Sequence, residues 1–304
     1  MKHRFIKVDQ TNIHYVEGGP EQENSDATIK TMVFLHGFPE YWETWHAQLD
    51  YFSEKYRVIA PDLPGYNLSD KPQDQSFYEV PNLIQFLAKF IQQISKNKKV
   101  VLVAHDWGGA IAWPLTAFFP QLIERLVILN AAHPSTFTRE MINNPEQRQK
   151  SEYIHELIAA NAVEKLSERH FEYLKNEIFT GMKAGTLTED QRLKYQTAWA
   201  QEGAVEGMLQ YYRAMPQLAP SKSAKQASDG PVVAPTNMKI PNIRITCPTL
   251  ILWGEQDQAF VRQNLDGIEE YVPDVKVVRF PEASHWLQHE LPNYINREIA
   301  VFIK

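Results

Sequence analysis

Along this chain, short runs of apolar and β-branched residues alternate with longer stretches whose apolar positions recur every three or four residues. Residues 31–35 (TMVFL), 57–60, 100–104 (VVLVA), 126–130, 249–253 and 275–280 are of the first kind. Nearly continuous in apolar character, they read as strands covered on both faces, as in a parallel sheet. Residues 5–8 and 13–16, on either side of Asp9-Gln10-Thr11-Asn12, read as an opening hairpin and complete a set of eight strands. Residues 81–94 place Leu83, Leu87, Phe90 and Ile94 on one helical stripe, and Ile295, Ile299 and Phe302 repeat the pattern near the end of the chain. The alternation predicts an α/β fold with a mostly parallel eight-stranded sheet flanked by helices.

Between about residues 134 and 241 the strand pattern stops. Tyr153, Leu157, Leu166, Phe171, Leu174 and Trp199 are spaced there among Glu, Lys and Gln, which is a helical composition. Helices interrupting an α/β alternation predict an insertion. Residues 1–133 and 241–304 then form one core, split by a helical cap and linker at 134–240. The polar stretch 221–235 (SKSAKQASDGPVVAP) reads as the flexible return to the sheet. Neither an internal repeat nor a glycine-rich phosphate-binding signature is present.

Composition narrows the function. A chain of 304 residues, 43% hydrophobic and 22% charged, can bury a large core. Its 31 Lys and Arg against 37 Asp and Glu leave a net charge of −6, unlike a nucleic-acid binder, which needs basic surface to neutralise phosphates. No apolar run approaches the roughly 20 residues that cross a bilayer, so no membrane insertion is expected. Met1-Lys2-His3-Arg4-Phe5 lacks the apolar stretch of a signal peptide. The single cysteine, Cys247, cannot form an internal disulfide and reads as buried and inert. These features predict a soluble cytoplasmic protein, monomeric or homodimeric.

The strand at 100–104 runs directly into Ala104-His105-Asp106-Trp107-Gly108-Gly109 and then into a helix. This has the form of a nucleophile elbow, whose central side chain stands on a sharp turn above the sheet. Its neighbours must be small because strand and helix backbones approach closely. The occupant here is Asp106, where Ser is usual. A carboxylate is already ionised at neutral pH and attacks best at a saturated carbon, giving an alkyl ester. The chemistry indicated is cleavage of a C–O or C–halogen bond, and peptide hydrolysis is disfavoured. The ordinary alternative for Asp at this place is a helix cap.

The order of the remaining polar residues favours the nucleophile. Gly254-Glu255-Gln256-Asp257 follows one strand and Pro281-Glu282-Ala283-Ser284-His285 follows the next, which is the nucleophile–acid–histidine order of such folds. His285 would take a proton from water, and Asp257 would orient it and stabilise its charged form. Glu255 is the rival acid, and Asp257 is preferred because it lies deeper in the loop. His36-Gly37-Phe38-Pro39 can offer the Phe38 N–H to an oxyanion, with a second from Trp107; Pro39 is a candidate cis residue. His36 and His105 read as structural histidines, and Asp62 as a turn acid. His289 follows His285 by four residues, but lacking a third ligand it reads as solvent-exposed rather than metal-bound. His155-Glu156 lacks the second histidine of a zinc-protease helix. No metal or cofactor is implied.

With these motifs together, His36-Gly-Phe-Pro39, Ala104-His-Asp-Trp-Gly-Gly109, Trp253-Gly-Glu-Gln-Asp257 and Ala283-Ser-His285, the chain resembles the soluble epoxide hydrolases of the α/β-hydrolase fold. The resemblance covers nearly the whole chain, sharply in the core and more diffusely in the cap. It implies that Asp106 opens a small apolar epoxide to a covalent ester. His285 with Asp257 then activates water, Phe38 and Trp107 hold the oxyanion and border the substrate, and a diol leaves. It also implies two cap tyrosines that donate to the alkoxide. Tyr153 in Lys150-Ser-Glu-Tyr153 and Tyr212 in Gln210-Tyr-Tyr-Arg213 match those positions, with Tyr211 as a rival by register and simple packing as the ordinary role.

Two residues depart from the family pattern: Ala104 replaces a usual Gly, and Pro114 falls where the following helix should run and is expected to kink it. A haloalkane dehalogenase would share the fold, the Asp and Trp107, but usually carries Asn where Phe38 stands. Fluoroacetate dehalogenases carry Arg in place of Trp107. A non-catalytic binding protein would have no need of the Asp–Asp–His set.

Overall fold

The computed structural model describes residues 1–20, 29–179, 181–220 and 238–304. Among the described residues there are eight strands: β1 (Lys2–Val8), β2 (Thr11–Gly18), β3 (Thr31–Leu35), β4 (Arg57–Pro61), β5 (Val100–His105), β6 (Ile123–Leu129), β7 (Thr249–Gly254) and β8 (Val275–Phe280). They form one sheet in the order β1-β2-β4-β3-β5-β6-β7-β8. The pairs β1–β2 and β2–β4 are antiparallel, and the remaining pairs are parallel. Strands β3, β5 and β7 are buried at every position, as their unbroken apolar runs require. β8, expected to be covered like them, is the edge strand and only half-buried. β1 begins at Lys2, before its apolar run, because a hairpin partner satisfies backbone groups whatever the side chains are: Lys2 pairs with Glu17 and His3 with Val16.

Successive side chains of a strand point to opposite faces, and the core divides accordingly. Leu102 joins Leu83, Leu87, Phe90 and Ile94 of α2 (Val80–Ser95) and Ile111 and Leu115 of α3 (Asp106–Phe118). Val101 and Val103 face the other way, onto α1 (His46–Phe52) and the C-terminal helix Pro292–Phe302. Pro114 does not break its helix: α3 runs from Asp106 to Phe118 with Pro114 inside it, buried.

Between β6 and β7 the described elements are helical: α4 (Pro134–Asn143), α5 (Pro145–Lys150), α6 (Ile154–Leu157), α7 (Ala162–Tyr173, interrupted by left-handed residues at 169–171), α8 (Glu189–Trp199) and α9 (Ala204–Arg213). After β8, α10 (Leu287–Glu290) precedes α11 (Pro292–Phe302). α8 starts with a capping box between Thr188 and Gln191. α9 sits backbone-on-backbone against the loop after β4: a Cβ on Gly207 would lie 2.5 Å from the Gly65 carbonyl oxygen. This contact sets α9 over the carboxyl ends of the strands. Residues 221–235, read from sequence as a return linker, lie outside the described residues. Cys247 is half-buried rather than fully buried, and burial pushes its thiol pKa up. Among the described residues, no helix is long and apolar enough to cross a membrane.

Candidate active site

Asp106 stands at the joint of β5 and α3 with φ of 50°. That left-handed backbone costs a non-glycine residue about 1–3 kcal/mol. The joint can form only because its surroundings are bare. A Cβ on Gly108 would lie 2.5 Å from the backbone oxygens of Leu35 and His36, and one on Gly37 would run into the Asp106 carboxylate. Ala104 is fully buried, paired with Leu35 on one side and Ile128 on the other, and its single methyl fits.

The two carboxylate oxygens of Asp106 have different surroundings. The Phe38 N–H donates to Oδ1 at 2.6 Å, and the Phe38–Pro39 peptide is cis. Trp107 follows Asp106 in the first turn of α3, where backbone N–H groups lack helical partners. Oδ2 lies 3.6 Å from His285 Nε2.

His285 Nδ1 lies 2.8 Å from Asp257 Oδ2. Asp257 is buried and fully satisfied: Oδ1 accepts from the Ala259 and Phe260 N–H groups at 2.6 and 2.9 Å, and Oδ2 also accepts from Asn130 Nδ2. Burial opposes the Asp257 charge, but His285 and these donors hold its pKa below the ordinary value. Burial likewise opposes charge on His285, yet the carboxylates of Asp257 and Asp106 reverse that and raise its pKa to about 10. Of the two acids after β7, only Asp257 reaches His285; Glu255 pairs with Arg279 at 3.0 Å.

A cavity of about 540 Å³ opens over Asp106 and is bordered by Trp107, Tyr153 and Tyr212. Tyr153 precedes α6 and Tyr212 lies in α9. The two tyrosine rings meet edge to face with centroids 6.3 Å apart, and the Trp107 ring meets Tyr212 edge-on at 5.0 Å. Burial, reinforced by the Asp106 charge, raises both tyrosine pKa values, so both keep their protons at neutral pH. The rival Tyr211 is committed elsewhere, donating to the Pro64 carbonyl at 2.8 Å in full burial. Phe38 meets the site through both its backbone and its ring. Its N–H is on Asp106 Oδ1, and its ring packs edge-on against Tyr212 at 5.1 Å.

One buried group was not found in the sequence. Glu40, just after the cis peptide, accepts from Thr44 Oγ1 at 2.7 Å and Tyr195 OH at 3.0 Å. It also faces His289 Nε2 at 2.7 Å and His105 Nδ1 at 3.1 Å. Burial opposes its charge, but the hydrogen bonds from His105 and His289 push its pKa well below the carboxylate range. His105 Nε2 in turn meets the His285 carbonyl oxygen at 2.9 Å. The cluster therefore ties α8, the elbow and the His285 loop together. It also corrects the reading of His289, whose side chain is 2% exposed because it is drawn into this cluster. A carboxylate set between Pro39 and Tyr41-Trp42 was the available signal, since an acid among bulky apolar neighbours is buried only with partners.

His36 is structural as expected: Nε2 accepts from the Leu63 N–H at 2.9 Å and Nδ1 faces the Gly37 carbonyl. Asp62 is more than a turn acid. It is buried, accepts from the Trp42 N–H, and lies 2.6 Å from His14 Nδ1.

A family model for the alpha/beta hydrolase fold matches residues 30–292. Over its length the chain is similar to Epoxide hydrolase 2 of Caenorhabditis elegans, at 32% identity covering 99% of this chain and 79% of the relative. It is also similar to Epoxide hydrolase 4 of Mus musculus, at 31% identity and the same two coverages. Among solved structures it resembles a Bacillus megaterium epoxide hydrolase in complex with an inhibitor, with TM-score 0.81, 34% identity and 99% of each chain covered.

Proposed function

The chain belongs to the α/β-hydrolase fold family and, within it, to the epoxide hydrolases; from that membership we propose that it converts an apolar epoxide to a vicinal diol through a covalent ester on Asp106. The observation that carries the mechanism is the unequal setting of the two Asp106 oxygens, Oδ1 bound at 2.6 Å by the Phe38 N–H and Oδ2 left for attack.

In the first step Oδ2 bonds to an oxirane carbon and the C–O bond to that carbon breaks. Tyr153 and Tyr212 supply the hydrogen bond and proton that the alkoxide needs, because an alkoxide is a stronger base than tyrosinate. Helices α4–α9 act as a cap that brings these phenols over the nucleophile.

Esterification changes the electrostatics of the second step. The Asp106 charge, one support of the raised His285 pKa, is gone, so the imidazolium loses its proton to solvent more readily, and the neutral imidazole serves as base. Water then attacks the ester carbon, negative charge collects on Oδ1 against the Phe38 and Trp107 N–H groups, and Oδ2 departs in the diol. The proton taken from water reaches the departing alkoxide through His285, and the second proton restores the tyrosine. Asp257 keeps the imidazole oriented with Nε2 toward the ester.

Incubation with styrene oxide and, separately, with 1-bromobutane tests the reaction class. Diol from the first and no bromide from the second is expected. Bromide without diol would make the protein a dehalogenase, and binding of both without product would make it a binding module.

A further inference from the structure

The cavity over Asp106 is lopsided. In one direction it follows a single face of α3, where Trp107, Ala110, Pro114 and Phe118 recur at three- and four-residue spacing. From Asp106 to Phe118 that face is about 18 Å long at 1.5 Å per residue. Trp107 and Pro114 are buried, Ala110 is half-buried and Phe118 is 63% exposed, so the face is open at its Phe118 end, away from Asp106. Ala110 and Pro114 give the groove its width, because neither side chain reaches across it, and Phe137, Met215 and Leu218 complete an apolar lining.

Beyond His285, away from the α3 face, a row of aromatic rings is packed. Trp286 packs against the His285 ring at 4.8 Å, Phe179 against Trp286 at 4.9 Å, and Tyr195 against Phe179 at 5.2 Å. Trp199 closes the row by donating Nε1–H to the Pro39 carbonyl at 2.6 Å, next to Phe38. Phe179, Tyr195, Trp199 and Trp286 are each at most 8% exposed. Close-packed rings of this kind yield little room without strain.

Resting on the epoxide-hydrolysis reading above, we propose that the substrates are terminal oxiranes, with one elongated apolar substituent on one carbon and only hydrogens on the other. The substituent lies along α3 toward Phe118. The bare CH2 faces Oδ2 and the ring wall, and it is also the less hindered carbon for attack. An oxirane with chains on both carbons has to drive one of them into the packed rings.

The test compares 1,2-epoxydecane with its isomer trans-5,6-epoxydecane, which divides the same apolar bulk between two carbons. The terminal isomer is expected to have a kcat/KM roughly 100-fold higher, since misplacing even a methylene in a fitted pocket costs about 10–200-fold. Phe179→Ala should narrow that ratio by raising the internal isomer. Ala110→Phe, which plugs the groove, should lower 1,2-epoxydecane by at least about 10-fold relative to epoxypropane. Equal turnover of the two isomers by the unaltered enzyme overturns the proposal, as does an Ala110→Phe variant that slows epoxydecane and epoxypropane alike. Failure to hydrolyse any of these oxiranes, epoxypropane and styrene oxide included, removes the parent reading and this proposal with it.

Discussion

His285→Gln is expected to leave ring opening largely intact and to stop the enzyme as an ester on Asp106. The two half-reactions draw on different groups. Opening needs an ionised Asp106 and protonated tyrosines, and neither depends on a base. Hydrolysis needs water deprotonated beside the ester carbon, and His285 Nε2, 3.6 Å from Asp106 Oδ2, is the group placed to do it. Glutamine keeps the side chain polar but cannot take up the proton. Steady-state diol formation should fall by about 10²–10⁴-fold, the range that a positioned general base contributes. Intact-protein mass spectrometry after mixing with styrene oxide should show one epoxide added per chain, mapped after digestion to the peptide holding Asp106. Unimpaired multiple turnover by this variant, with no adduct at any time, would remove His285 from the mechanism.

The second large effect is expected from Tyr153→Phe combined with Tyr212→Phe. Both phenols border the cavity over Asp106, meet ring edge to ring face, and hold their protons tightly in its apolar surroundings. With one removed the other still donates, so each single variant should slow opening moderately. With both removed the alkoxide forms in a low-dielectric pocket without a donor, and opening should slow by at least about 10³-fold, as expected for loss of a general acid. The rate is best read as adduct formation in the His285→Gln background, where hydrolysis cannot blur it. An unchanged rate in the combined variant would return the tyrosines to a packing role.

Much of this was legible in the sequence because it is written locally. The run VVLVA at 100–104 followed by a small-x-acid-x-Gly-Gly turn admits few structures, and the unbroken apolar runs specify strands buried on both faces. The Asp106–Asp257–His285 set could be read from its order along the chain. Side-chain partners far apart in sequence could not. Glu40 meets His289 across 249 positions and Tyr195 across 155, and no periodicity carries such pairings, so His289 was read as exposed. That the Phe38 ring packs on Tyr212 of the cap joins residues 174 positions apart and has no local signature either. Which of Tyr211 and Tyr212 borders the cavity is a matter of helix rotation: Tyr212 does, and Tyr211 donates to the Pro64 carbonyl. The direction of the substrate groove depends on which face of α3 is left uncovered, a tertiary property with no local signature.

Whether the Asp106 carboxylate forms and loses a covalent bond to substrate is decided by one turnover in heavy-oxygen water, with enzyme in excess, followed by digestion and mass analysis of the peptide holding Asp106. Ester hydrolysis at the carboxyl carbon leaves the solvent oxygen in that peptide and sends the original Oδ2 out in the diol. Heavy oxygen found in the diol and none in the peptide would mean that water attacked the epoxide directly, with Asp106 acting only as a base.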